Sequence, residues 1–217
     1  MIRADKIYKY FETQSGWAPI IENLNLTVEK GCRIGILGRN GAGKSTLIKI
    51  LGGITLPDSG TIERHMSLSW PLAFSGGFQG SLTGLDNLKF ICRIYDTDID
   101  NVRPFVEDFA ELGKYFLEPV KTYSAGMKAR LAFALSMAVD FDCYLIDEAL
   151  SVGDDRFSAR CHEELLVKRA DKAMVLVSHS AETIKRICHK ASVLHNKTLH
   201  HFDNVEDAYH FYQETIH

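Results

Sequence analysis

No stretch of this chain approaches the roughly 18 consecutive apolar residues that a membrane-spanning helix needs, so no membrane-spanning helix is expected. The opening residues, MIRADKIYKY, lack the apolar core of a secretory signal peptide. The five cysteines (Cys32, Cys92, Cys143, Cys161 and Cys188) are scattered, odd in number and without a Cys-x-x-Cys pair. That pattern excludes a disulfide framework and a zinc cluster, and points to a reducing cytoplasm. The nine histidines supply no pair at ligand spacing beside a carboxylate or thiol. His189, His195, His200, His201, His210 and His217 therefore read as surface or half-buried side chains. Positive charge is also in short supply: the formal net charge is −3, which leaves no broad basic face for nucleic acid. Neither internal repeats nor low-complexity tracts occur. What remains is an ordinary soluble composition, 46% hydrophobic and 24% charged over 217 residues, enough for a sizeable core and expected to form a single domain over 1–217.

Along the chain, residues 1 to 37 read as β-rich, hairpin-like material, with partial alternation in DKIYKYF and IIENLNLTVEKG. RIGIL (33–37) is a short apolar strand that runs straight into a glycine stretch. KSTLIKIL (44–51) carries apolar residues at helical spacing and stops at Gly52-Gly53. LPDSG is a turn, and 76–88 reads as irregular. VRPFVEDFAELGKYF places Val102, Phe105, Val106, Phe109 and Leu112 on one helical face that ends at Gly113. A further helix is expected over about 125–139, followed by strands CYLID (143–147) and AMVLVS (173–178) with a polar helical stretch between them. Strand–helix–strand alternation around a glycine loop predicts a parallel α/β core, with a helical subdomain inserted over about 85–140.

GRNGAGKST, residues 38–46, fits G-x-x-x-x-G-K-[ST] at Gly38, Gly43, Lys44 and Ser45. Glycines let the backbone curl so that several N–H groups point at phosphate oxygens. Arg39, Asn40, Gly41, Ala42 and Thr46 complete this cradle, and the following helix presents its positive end. Lys44 is expected to reach the β- and γ-phosphates of a nucleoside triphosphate, and Ser45 to ligate Mg²⁺. CYLIDE adds an apolar strand ending in Asp147, a carboxylate for the same ion. Glu148 follows, placed to polarise an attacking water, so hydrolysis is the expected reaction.

Together with this loop, the stretches YSAGMKAR, LIDE and VSHS resemble the nucleotide-binding subunit of ATP-binding-cassette transporters, over essentially the whole chain. The resemblance implies ATP and Mg²⁺ as ligands and a phosphate-loop ATPase core of the cassette type. It also implies two copies of the chain sandwiching two nucleotides. In the family the signature pentapeptide usually reads Leu-Ser-Gly-Gly-Gln; here it is Tyr123-Ser124-Ala125-Gly126-Met127. Ser124 and Gly126, which bear the contacts to the other copy's γ-phosphate, are kept. His179 matches the switch histidine, and Asp154 matches the loop linking the two sites. Tyr10 stands where the family stacks a ring on adenine, with Trp17 as a rival. Gln79 is the candidate for the glutamine that senses Mg²⁺ and couples to the membrane subunit.

SWPLAFSGGFQGSLTGLDN, with EDFAELGKYFLEPVKTYSAGM and VGDDRF, closely resembles the ATPase subunit of Gram-negative capsular-polysaccharide exporters. That implies a membrane-spanning export permease as partner and a position on the cytoplasmic face of the inner membrane. O-antigen and teichoic-acid exporters share part of these stretches, and a soluble, non-transport cassette ATPase is a further alternative. Residues 70–90 hold too many apolar side chains for a free loop. They are expected to receive the permease, with Phe78 and Leu82 at the contact.

Overall fold

The computed structural model describes residues 1–14, 16–72, 79–147 and 154–216. Two compact units emerge: Met1–Pro71 with Phe141–Glu148 and Asp171–His217, and Leu72–Asp140 with Ala149–Ala170.

The first unit holds two sheets. Strands β1 (Ile2–Thr13), β2 (Gly16–Val28) and β4 (Ser59–Arg64) form an antiparallel sheet in the order β2-β1-β4. Alternation decides its buried face: Ile2, Ala4 and Ile7 of β1, with Leu24, Leu26 and Val28 of β2, turn into the core. The second sheet runs β5 (Cys143–Asp147), β6 (Ala173–Ser178), β3 (Arg33–Leu37), β7 (Lys190–His195), β8 (Thr198–Phe202). Its first four strands are parallel and β8 is antiparallel to β7. Every residue of AMVLVS is buried, as a parallel strand covered on both faces requires.

Helix α1 (Lys44–Leu51) buries Leu47, Ile48, Ile50 and Leu51. It ends at Gly52, where Arg64 Nε and Nη2 donate to the end-of-helix carbonyls of Leu51 and Ile50, both at 2.8 Å, the latter also accepting the Gly53 N–H at 3.1 Å. Helices α6 (Ala181–Ile187) and α7 (Val205–Ile216) complete this unit.

The second unit is helical. It comprises α2 (Gly84–Ile94), α3 (Ile99–Ala110), α4 (Ala125–Ala138) and α5 (Asp155–His162). Phe109, Phe133 and Phe157 bring α3, α4 and α5 together, with ring centroids 5.4 to 6.3 Å apart. Two expectations are corrected here. The reading of 76–88 as irregular fails from Gly84 onward, because Thr83 caps a helix by accepting the Asp86 N–H at 3.0 Å. The helix expected to run to Gly113 ends at Ala110, because Glu111 takes a left-handed conformation (φ 50°) and closes it.

Candidate nucleotide site

Strand β3 delivers the glycine loop to the carboxyl edge of the parallel sheet. In such sheets, ligands bind outside the strand ends where the connections diverge. Gly41 and Gly43 have φ of 81° and 105°, conformations that other residues rarely adopt. A Cβ on Gly43 would also sit 2.9 Å from Ile20 Cγ2. Lys44 is buried, and its ammonium donates to the carbonyls of Gly38 at 2.8 Å and Arg39 at 3.1 Å. The loop thus holds its own cation at its mouth, bonded to neutral acceptors that a phosphate, being charged, outcompetes. No acidic residue stands in the first turn of α1, so the helix carries no carboxylate of its own against the positive end of its dipole.

Beside the loop lies a cavity of about 470 Å³ lined by Phe11, Ile20, Asn40, Gly41, Gly43, Lys44, Ser45 and Thr46. Arg39, Ala42 and again Asn40 and Gly41 line a second groove with Leu194, His195 and Asn196. The aromatic wall of the larger cavity is Phe11. Tyr10 is its neighbour on the strand and is not among the lining residues, since successive side chains point to opposite faces. Trp17 pairs with Glu12, while Phe11 pairs with Ala18, so Trp17 also stands on the face away from Phe11, 68% exposed. Phe11 escaped the sequence reading. The signal available was the aromatic pair Tyr10-Phe11, whose alternation leaves one ring for each face.

Asp147 ends β5 level with Val177 of β6, and Val177 is level with Ile36 of β3. The carboxylate therefore leaves the same sheet edge as the loop, two strand spacings or roughly 10 Å along it. Ser45 and Asp147 are hard oxygen donors of the type Mg²⁺ takes through water, so the residues present fit the ion. Ser178 is opposite Leu37, the residue before Gly38. His179, exposed, follows it, and Ser178 Oγ accepts the Ser180 N–H at 3.0 Å. Glu148 lies outside the described residues.

The remaining candidates belong to the second unit. Ser124 Oγ accepts the Met127 N–H at 3.2 Å and caps α4. Ser124, Ala125 and Gly126 are exposed, while Tyr123 beside them is buried and donates its hydroxyl proton to the Tyr115 carbonyl. The tyrosine that replaces the usual leucine is thus an anchor, and the anion-binding end of the helix stays open. Asp154 caps α5 by accepting the Phe157 N–H at 2.9 Å. The Gln79 N–H donates to Asn87 Oδ1 at 3.1 Å and its side chain is exposed. Phe78 lies outside the described residues.

No group of three metal-ligating side chains occurs among the described residues. Three of the C-terminal histidines have other partners: His201 bonds Ser192 Oγ and the Asn25 carbonyl at 2.9 and 2.8 Å, His195 meets the Phe211 ring edge-on and His200 lies tilted against it. No described helix is long and apolar enough to cross a membrane.

Residues 21–151 match the family profile described as ABC transporter. Over 99% of both chains, the protein is 59% identical to the ATP-binding protein BexA of Haemophilus influenzae. It is 56% identical, over 98% of both chains, to the capsule polysaccharide export ATP-binding protein CtrD of Neisseria meningitidis serogroup B. Its fold superposes on a dimeric ATP-binding cassette in a post-hydrolysis state bound to ADP and phosphate, with a TM-score of 0.77 at 19% identity over 92% of this chain and 96% of that one. The phosphate loop on a parallel sheet, the helical unit with its open signature helix and this full-length similarity converge: the chain belongs to the ABC transporter family, as an ATP-hydrolysing cassette subunit of the α/β phosphate-loop fold.

Proposed function

We propose that this chain powers export of capsular polysaccharide across the inner membrane by hydrolysing ATP on the cytoplasmic face, through a separate membrane-spanning permease. The carrying observation is the buried Lys44 held at the mouth of an open phosphate loop, in a chain 56% identical over nearly its full length to a capsule polysaccharide export protein. Phosphates entering the cavity take the Lys44 ammonium from the carbonyls of Gly38 and Arg39, and gain the loop N–H groups and the end of α1. Phe11 offers its ring to the base at the other end of the cavity. Ser45 and Asp147 would hold Mg²⁺, which when bound would neutralise charge on the phosphates. Glu148 orients and deprotonates the attacking water, and His179 contacts the γ-phosphate from the end of β6.

Ser124 and Gly126 serve a second copy of the chain: the hydroxyl and the N-terminus of α4 cap the nucleotide in that copy's loop. Asp154 lies in the loop that reports between the two sites, and Gln79 links the nucleotide to the permease. The test is polymer export in a capsulate cell whose own export ATPase has been deleted. Wild-type chain restores surface polymer and Lys44→Ala does not; restoration by Lys44→Ala at equal protein level refutes the reading.

A further inference from the structure

Strand β4 begins at Ser59, opposite Tyr8 of β1, yet β1 continues to Thr13 with β2 alone beside it. Among the described residues, the backbone groups of β1 beyond Tyr8 that face the β4 side have no strand to pair with. Asp58, just ahead of β4, takes over that edge. Its Oδ2 accepts the Tyr10 N–H at 2.6 Å, its Oδ1 accepts from the Lys9 ammonium at 3.0 Å, and its own N–H donates to the Tyr8 carbonyl at 2.9 Å. Three successive residues of β1 are therefore tied to one loop residue. Gly60, the second residue of β4 at φ +93°, lies so close to β1 that a Cβ would sit 2.3 Å from the Lys6 carbonyl oxygen.

The grip falls where β1 and β2 change register. Lys9 pairs with Ile21 but Tyr10 pairs with Pro19, leaving Ile20 as an extra residue. Such a bulge turns the strand and re-aims its side chains, and both Ile20 and Phe11 line the nucleotide cavity. The Lys9 ammonium, held by Asp58, lies 5.7 Å from the centre of the Phe11 ring.

We propose that Asp58 is a positioning residue for nucleotide binding: by fixing β1 at the bulge, its carboxylate sets the Phe11 ring against the base. The proposal rests on the reading of Phe11 as the ring that meets the base. The Tyr10 N–H and then Lys9 hold the Asp58 pKa below its ordinary value, so the carboxylate is charged at neutral pH.

The purified chain is titrated calorimetrically with ATP and with inorganic tripolyphosphate, which shares the phosphates but has no base. Asp58→Ala is expected to weaken ATP about tenfold, the scale of one charge-assisted bond, and to leave tripolyphosphate unchanged. Asp58→Asn, which still accepts the Tyr10 N–H, loses less. In a Phe11→Ala background the Asp58 substitution adds nothing, and in turnover it raises KM for ATP while sparing kcat. If Phe11→Ala weakens ATP and Asp58→Ala does not, the role of Asp58 is overturned and the stacking reading stands. If Phe11→Ala binds ATP normally, the stacking reading falls and the proposal with it. Equal weakening of tripolyphosphate by Asp58→Ala marks a general distortion and also overturns the proposal.

Discussion

The Arg130 guanidinium donates to Asp154 Oδ2 with one terminal nitrogen and to Glu111 Oε2 with the other, each at 2.7 Å. It also lies 4.8 Å over the Phe157 ring. A second arginine repeats the pattern, since Arg160 joins Glu111 and Asp108 at 2.7 Å and covers Phe109 at 4.8 Å. Isolated surface pairs contribute little, but several charges joined in one network, with each guanidinium bridging two carboxylates over an aromatic ring, are the exception. Here the network joins the helix that starts at Ser124 to the cap of the helix that starts after Asp154.

Arg130→Ala is therefore expected to free the α5 cap from α4 while leaving the phosphate loop intact. Turnover should fall, by up to about a hundredfold, the scale for a misplacement of about 1 Å transmitted from outside the chemistry, with ATP binding by the isolated chain unchanged. Arg130→Lys should recover little, because an ammonium cannot span both carboxylates. Wild-type turnover in Arg130→Ala would remove the network from the mechanism.

Much of this was readable from the sequence because its signals are local. GRNGAGKST, the Ser124 cap and the all-apolar AMVLVS each carry their structure in a few residues. The hairpin of β7 and β8 went unread: its two-residue turn, Asn196-Lys197, has φ of 46° and 67° at both positions without the glycine that usually announces such a turn. The end of α3 was misplaced because Glu111, not the obvious Gly113, adopts the left-handed cap. Phe11 went unread beside Tyr10: alternation gives the pair one ring for each face, but which face meets the cavity follows from how β1 pairs with β2, a property of neither residue.

Lys44→Ala should abolish hydrolysis while the protein stays folded. The lost ammonium leaves two loop carbonyls that water reaches through the open cavity, a cost of about 1–2 kcal/mol. Steady-state phosphate release and a thermal melt read the two effects. A folded variant with wild-type turnover would refute the assignment of this lysine.

Glu148→Gln should keep ATP binding and remove the base, so an ATP-bound pair of chains accumulates. Size-exclusion chromatography with Mg·ATP, repeated with the permease present, reads the shift. A variant that stays monomeric and hydrolyses at the wild-type rate shows that another group deprotonates the water.

Acid should destabilise the protein in a defined window. The Ser67 N–H lowers the Asp142 pKa, and Arg130 lowers that of Glu111. A carboxylate whose folded pKa is depressed contributes its full stabilisation above the unfolded value, about 4, and loses it as pH falls through the folded value. The melting temperature should be flat from neutrality to about pH 5 and then decline. Asp142→Asn should make that decline shallower, and an unchanged slope would separate Asp142 from acid unfolding.

The last expectation concerns Leu82. Its N–H donates to the Gln79 carbonyl at 3.0 Å and its own carbonyl accepts the Val120 N–H at 2.9 Å, so the backbone there is fixed without help from the side chain. That side chain is 36% exposed, and Phe90 and Ile94 on α2 are exposed as well, at 54% and 57%. A polar replacement there keeps both backbone bonds and changes a side chain that already faces solvent in part, so a modest loss of stability with the fold retained is expected, read by a thermal melt. Leu82→Gln should accordingly bind and hydrolyse ATP as the wild-type chain does when isolated, yet export less polymer in the cell, because the surface it spoils is the one a permease would meet. Cysteines placed at 79 to 85 should crosslink to the permease. Normal export by a folded Leu82→Gln variant, or crosslinks that form only elsewhere on the chain, would move the coupling surface away from this segment.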